Sequence, residues 1–347
     1  MTNHSLVPCL NLLKRCIFFF LLFCCGCNNR EERNVQRSFY YWKTAFNLSP
    51  QEQKTLNQLS VQNLFVKFFD VDWNNENKTA EPVAKSIFQQ KPPAGISIAP
   101  VVFITQEPLQ RSDTAALSQL AINIASLLSS IAANNGLQLS NEIQIDCDWT
   151  AKTKESYFYL LNQLKDQPFF QNKKLSATIR LHQLKFITQN GIPPVDKGLL
   201  MCYNMGNLRK AETKNSIIEE EELEKYINNL ENYPLPVDIA LPIFDWYLLF
   251  EGEQYKGIIR DFNPGPALAK KQRINFDSDT SINGYQFKAG QWLRHETSEA
   301  DVVKACAQRI SKKLKAKELT VILYHLDQTN LSKYNQNELE SFYNSFL

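Results

Sequence analysis

Eight short apolar runs, separated by helix-like stretches, are what most constrains this chain. They fall at residues 40–46, 61–69, 95–104, 142–147, 175–181, 198–203, 237–244 and 319–324, and are rich in Val, Ile, Phe and Tyr. Several are almost unbroken in their hydrophobicity, as expected of strands covered on both faces in a parallel sheet. Between them, residues 113–134 carry apolar side chains at three- and four-residue spacing, with Ser112 as the expected cap. Residues 154–166 and 219–232 follow the same pattern. Residues 298–314 open on Ser-Glu-Ala-Asp, a variant capping box pairing Ser298 with Asp301.

Eight strands with helical connections predict an α/β fold, the (β/α)8 TIM barrel. Such barrels take about 250 residues, and this chain has 347. The excess fits an insertion between strands 7 and 8, at residues 247–295. Asn263-Pro-Gly-Pro and Asn283-Gly mark turns there, so one or two hairpins are expected rather than a separate domain. The 38 basic and 36 acidic side chains leave a net charge of +2. That balance argues against nucleic acid as a partner.

The amino terminus has its own logic. Lys14-Arg15 precede the apolar run Cys16-Ile-Phe-Phe-Phe-Leu-Leu-Phe-Cys24. The run falls short of the about 20 residues that span a bilayer, but it fits the core of a signal peptide. Gly26-Cys27, followed by polar Asn28-Asn29-Arg30-Glu31-Glu32, resembles a bacterial lipobox with Cys27 as the lipidated residue. Cys24 stands where leucine is usual, and Cys25 is an alternative acceptor; an uncleaved membrane anchor is the competing reading. The expected organisation is a signal peptide at 1–26, a tether at 27–37 and one barrel at 38–347. Acyl chains would hold it to a bacterial membrane of the cell envelope, the outer membrane first. In the body, Cys147, Cys202 and Cys306 form no metal motif, and Cys147 and Cys202, inside apolar runs, are expected as buried small hydrophobes. A disulfide between Cys147 and Cys202 is the alternative.

In a barrel, chemistry belongs to the carboxyl ends of the strands. Period-two geometry places Gln144, Asp146 and Asp148 on one face of the fourth strand, and Ser176, Thr178, Arg180 and His182 on one face of the fifth. Two acids, an arginine and a histidine are thereby aimed at one volume. Arg180 would hold one aspartate ionised while the other, crowded by like charge, keeps a proton. An ion pair lining the barrel would give the same pattern without chemistry. Asp72 ends the second strand and Asp245 the seventh, across the mouth. Trp42 lies on the first strand, while Trp73, Trp149 and Trp246 each follow an acidic residue at a strand end. Flat aromatic faces beside carboxylates suit sugar rings; rim packing under long loops is the alternative.

The fourth strand reads Asp146-Cys-Asp148 and the sixth Met201-Cys-Tyr203-Asn204. Together they resemble the D-x-x-D-x-D-x-E and Met-x-Tyr-Asp signatures of chitinase-type glycoside hydrolases of family 18. Asp146 and Asp148 match the last two aspartates of the first signature, while Met201 and Tyr203 match the second, with Asn204 replacing its aspartate. Thr150 stands where that family places its general-acid glutamate, and Ile143 replaces the first aspartate. More broadly, Tyr-Tyr-Trp-Lys, Phe-Phe-Asp-Val-Asp, Gln-Ile-Asp-Cys-Asp-Trp-Thr and Leu-Met-Cys-Tyr-Asn-Met-Gly resemble poorly characterised bacterial lipoproteins with glycosidase-like barrels.

Glycoside hydrolysis usually needs two carboxyl groups. With Thr150 in the glutamate's place, Asp148 is the expected general acid, tuned by Asp146, with Asp72 or Asp245 as the second carboxyl. The resemblance implies that Tyr203 and Asn204 hold a sugar or its acetamido group. Arg180 and His182 suit an acidic sugar, and His182 is also a candidate base. The expected function is a glycoside hydrolase acting on a poly- or oligosaccharide. The alternative is a glycan-binding lipoprotein on a degenerate barrel; a purely structural lipoprotein would tolerate loss of every acid at the mouth. No cofactor is expected, and the scattered histidines offer no metal-ligand spacing.

Overall fold

A computed structural model describes residues 33–259 and 262–347 of the chain. The expected signal peptide, Cys27 and most of the expected tether lie outside the described residues.

Eight parallel strands close into a barrel: β1 (Asn34–Tyr41), β2 (Asn63–Asn74), β3 (Ser97–Ile104), β4 (Glu142–Cys147), β5 (Lys174–Arg180), β6 (Lys197–Met201), β7 (Val237–Pro242) and β8 (Glu318–Tyr324). Each pairs with its sequence neighbour, and β1 pairs with both β8 and β2, which closes the ring. The (β/α)8 expectation holds. β4 has the expected bounds, whereas β1 begins at Asn34 and takes in the end of the expected tether. Its polar first half, Asn34–Arg37, pairs through the backbone with Glu318–Val321.

The outer layer is built mainly of helices. The longest, Thr114–Asn134, turns Leu117, Leu120, Ala121, Ile124, Ala125, Leu128 and Ala132 inward. Its cap is Asp113 rather than Ser112, the carboxylate accepting the Ala116 N–H at 2.8 Å. The expected helix at 219–232 is two pieces, Glu220–Glu224 and the 3-10 turn Ile227–Asn232. The expected Ser298–Asp301 box is absent. Helix Ala300–Lys313 has Glu299 at its cap, and the Ser298 hydroxyl donates instead to the Phe244 carbonyl at 2.6 Å.

One connection departs from the pattern. Between β2 and β3 the chain makes no helix; β2 runs on past the barrel and folds back as an antiparallel strand, Thr79–Val83, paired with Asp70–Asn74. β2 also carries a bulge at Phe68, the extra residue between Lys67 and Phe69 in the register with β3. A bulge switches the parity of a strand. Phe65 and Lys67 therefore face the interior before it, and Asp70 and Asp72 after it.

The insertion between β7 and β8 is a four-stranded antiparallel sheet with an additional hairpin at Thr280–Ile282 and Tyr285–Phe287. Strand Trp246–Glu251 lies between Gln254–Ile259 and Gln291–Glu296, and Arg273–Asn275 forms the far edge. Tyr247, Ile274, Phe276, Phe287 and Leu293 give it a small core of its own. Arg294 fastens loop 207–216 to it by donating to the carbonyls of Leu208, Lys210 and Ala211.

The amino-terminal end of the barrel is closed by a polar plug. Lys197 bridges Glu142 (2.9 Å) and Asp238. Ser176 donates to Glu142 at 2.6 Å, and the Thr320 N–H donates to Asp238 at 2.9 Å. Above it Tyr40 donates to Gln144, whose amide donates to Ser176. Cys147 and Cys202 are free and buried, as expected of small hydrophobes, and form no disulfide; Cys306 is free and buried as well.

Candidate functional site

The carboxyl end of the barrel gathers most of the chemistry. Asp146 ends the inward face of β4, is 3% exposed, and accepts the Thr178 hydroxyl at 2.6 Å. Burial pushes its carboxyl up to about 6; the charges of Asp148 and Asp70 add to this, while Arg180 and Thr178 oppose it. Asp148, two residues on, is gripped by Arg180 through Nε and Nη2, the latter at 3.0 Å from Oδ2. Asp148 is the charge-paired aspartate and Asp146 the one whose carboxyl is raised, the reverse of the roles expected for them. Asp148, expected to donate the proton, has both oxygens occupied by a guanidinium; Asp146 is the member that burial disposes to keep one.

The place of the family 18 glutamate is chemically closed. The Thr150 N–H donates to Thr153 Oγ1 at 3.0 Å, and Thr150 Oγ1 accepts from the Lys152 N–H at 3.3 Å. Those bonds hold Thr150 in the turn that starts the next helix. Gln106 reinforces the loop by donating to the Asp148 carbonyl and accepting from Thr153.

Below and beside the acids lies an aromatic floor. Tyr324, at the end of β8, packs against Tyr203 (ring centroids 5.3 Å), Tyr40 (5.7 Å), Trp42 (5.8 Å) and Phe244 (5.7 Å). The Tyr203 hydroxyl is buried and has no hydrogen-bond partner, although a buried hydroxyl normally finds one. Lys67 and Asp70 join the same mouth, ion-paired at 3.0 Å with the ammonium 5.8 Å from the Trp42 ring. Sequence reasoning missed Lys67, Asp70, Phe244 and Tyr324. Asp70 was within reach, since it shares the parity of Asp72; Lys67 was not, because its orientation depends on the bulge.

Other expected residues lie elsewhere. Asp72 sits farther out on β2 and accepts the Thr105 hydroxyl at 2.7 Å. Trp73 has the opposite parity and meets Arg111, 5.8 Å from its ring. Trp149 is fully buried outside the barrel wall, stacked on Tyr157 at 5.2 Å, its indole N–H donating to the Asn190 carbonyl. It is a core residue, because it shares the outward parity of Cys147. His182 is exposed on helix Leu181–Lys185, which starts directly after Arg180 and ends the strand alternation. Partial desolvation by the surrounding protein and the Arg180 charge lower its pKa, opposed by the Asp148 charge. Asn204 is exposed, with a left-handed backbone (φ 54°). Trp246 packs on Phe244 and donates to Glu296 at 2.7 Å. Asp245 meets His295 at 3.0 Å and pairs with Lys333. Burial works to raise its pKa, but these two partners hold it below the usual carboxylate range.

Among the described residues, no group of three His, Cys, Asp or Glu side chains is placed to hold a metal ion. No protein-family model matches the sequence, and no curated protein sequence matches it. Solved structures do match in shape. The spore cortex-lytic enzyme SleL of Bacillus cereus aligns with a TM-score of 0.55 and 12% identity, over 91% of this chain and 75% of that one. A GH18 chitinase from Cycas revoluta, solved with (GlcNAc)3, gives 0.54 and 11%, over 89% and 99%. A chitinase from Chromobacterium violaceum gives 0.51 and 10%, over 90% and 97%. At such identities the likeness is one of fold alone: the chain is a TIM barrel, as these enzymes are.

Proposed function

We propose that the barrel mouth binds an oligosaccharide and that this chain is a glycan-binding protein on a hydrolase-like scaffold. One observation carries the reading: Thr150 is tied into a helix-starting turn where a general acid would stand, beside an intact aromatic floor with an unpartnered Tyr203 hydroxyl. Ring faces and a buried hydroxyl are what a sugar requires, whereas cleavage also requires an available acid. The Cycas chitinase structures with (GlcNAc)3 and (GlcNAc)4 make N-acetylglucosamine oligomers the first ligands to test.

A hydrolase reading is favoured by a separate observation, the carboxyl of Asp146 pushed up to about 6. An acid so placed holds its proton to higher pH than an ordinary carboxyl does, and below about pH 6 it would take the role first expected of Asp148. Calorimetry and product analysis of the full chain on a polysaccharide panel separate the two. Binding without product release supports the first reading. Release that is lost in Asp146→Asn with binding retained establishes the second, and absence of both overturns the glycan assignment.

The same proposal includes a lipid anchor at Cys27, with acyl chains tethering the barrel to a bacterial envelope membrane. Mass spectrometry of the mature amino terminus tests it; an unacylated Cys27 would exclude the anchor.

A further inference from the structure

We infer that a cleft beside Phe186 is a second sugar-binding site, separate from the barrel mouth. Phe186 is 50% exposed, whereas every other Phe, Tyr and Trp among the described residues is buried or half-buried. An isolated open ring on a surface is ordinary; this one lines a cleft of about 400 Å³ whose walls are otherwise mostly polar. Thr188, Gln189, Asn229 and Asn232 supply hydroxyl and amide groups, and Lys185 is the only charge. The volume falls within the range of small-ligand clefts.

One wall is tied to the neighbouring helix. Asn229 Nδ2 donates to the carbonyls of Leu184 (3.2 Å) and Lys185 (3.0 Å), the end of helix Leu181–Lys185. No hydrogen bond among the described residues takes its Oδ1, which is left to accept from a ligand. The Lys185 ammonium lies 5.4 Å from the Phe186 ring and 5.1 Å from that of Tyr226. Its charge is thus spread against two aromatic faces, and it adds a donor at the cleft edge. An open ring ringed by neutral amides and a hydroxyl matches a neutral sugar. The C–H face stacks on the ring, and the hydroxyl or acetamido groups bond to the amides. A charged ligand would find one cation and no built pocket for an anion; a purely apolar one would strand the amides. None of the residues lining the cleft belongs to the barrel mouth.

The test uses the full chain with 4-fluorophenylalanine at position 186, read by fluorine NMR, and two probes, N-acetylchitotetraose and cellotetraose. The fluorine signal should shift saturably at millimolar concentration of at least one probe, and Tyr203→Phe should leave that response unaltered. Phe186→Ala should weaken retention on the matching insoluble polysaccharide about tenfold, while Phe186→Trp should retain it. An unmoved signal with both probes overturns the site. A response that vanishes in Tyr203→Phe assigns it to the mouth and overturns the site equally. Should the mouth reading itself fail, Tyr203→Phe would change nothing anywhere while the signal at 186 still moved.

Discussion

Arg180 donates from two nitrogens to both carboxylate oxygens of Asp148, while Asp146, on the same face of the same strand, receives only the Thr178 hydroxyl. Two aspartates two residues apart thus live in different environments. The nearer the barrel interior, the more burial governs; the nearer the rim, the more the guanidinium does.

Asp146→Asn should stabilise the protein at neutral pH. The unfolded carboxyl loses its proton near 3.8 and the folded one near 6. The folded state therefore loses stability as pH rises between those values, by about 3 kcal/mol. Asn carries no such penalty. Thermal melts at pH 3.5 and pH 7.5 should show no gain for the variant at the lower pH and its full gain at the higher; an equal gain at both would contradict the assignment.

Tyr203→Phe removes a buried hydroxyl that has no partner. The variant should fold at least as stably as the parent, gaining about 1 kcal/mol. It should lose about tenfold in affinity for the oligosaccharide that fills the mouth. Denaturant titration beside calorimetry reads both, and a clear destabilisation would mean that the hydroxyl is satisfied within the protein.

Asp245→Asn should destabilise by about 1–2 kcal/mol at pH 7 through loss of its charge-assisted bonds to His295 and Lys333. The folded pKa of Asp245 is depressed. Its contribution is therefore present above the unfolded value and disappears as pH falls through the folded one. Parent and variant melting curves should converge in acid. Divergence there would show that Asp245 does not pin the insertion through charge.

The tryptophans should separate by parity. Trp149→Ala should cost about 3–5 kcal/mol, as for any buried large aromatic ring. Trp149→Phe, which keeps the stack on Tyr157, should bind glycan like the parent. Trp42→Phe should melt near the parent yet bind more weakly. The reverse pattern would place Trp149 at the ligand.

Much of this was legible beforehand. β4 kept its bounds because its apolar alternation runs unbroken from Glu142 to Cys147, and parity alone brought Asp146, Asp148 and Arg180 together. The failures have physical causes. Asn34–Arg37 joined β1 through backbone pairing, which side-chain polarity does not report. His182 left the strand face because a helix starts with no intervening loop. Trp149 was misread by treating position after an acid as placement, when parity already sent it outward with Cys147. Lys67 faces inward only because Phe68 is bulged, and nothing in the sequence marks that bulge.

Lys197, Glu142 and Asp238 close the far end of the barrel with charge, so a ligand can approach the acids only from the mouth. Whatever reaches Tyr203 must leave by the way it entered. A long polymer could not be threaded through and drawn out behind; it would have to lie across the rim and dip a terminus, a branch or a bent unit inward. The geometry therefore favours grasping a chain at a point over travelling along it.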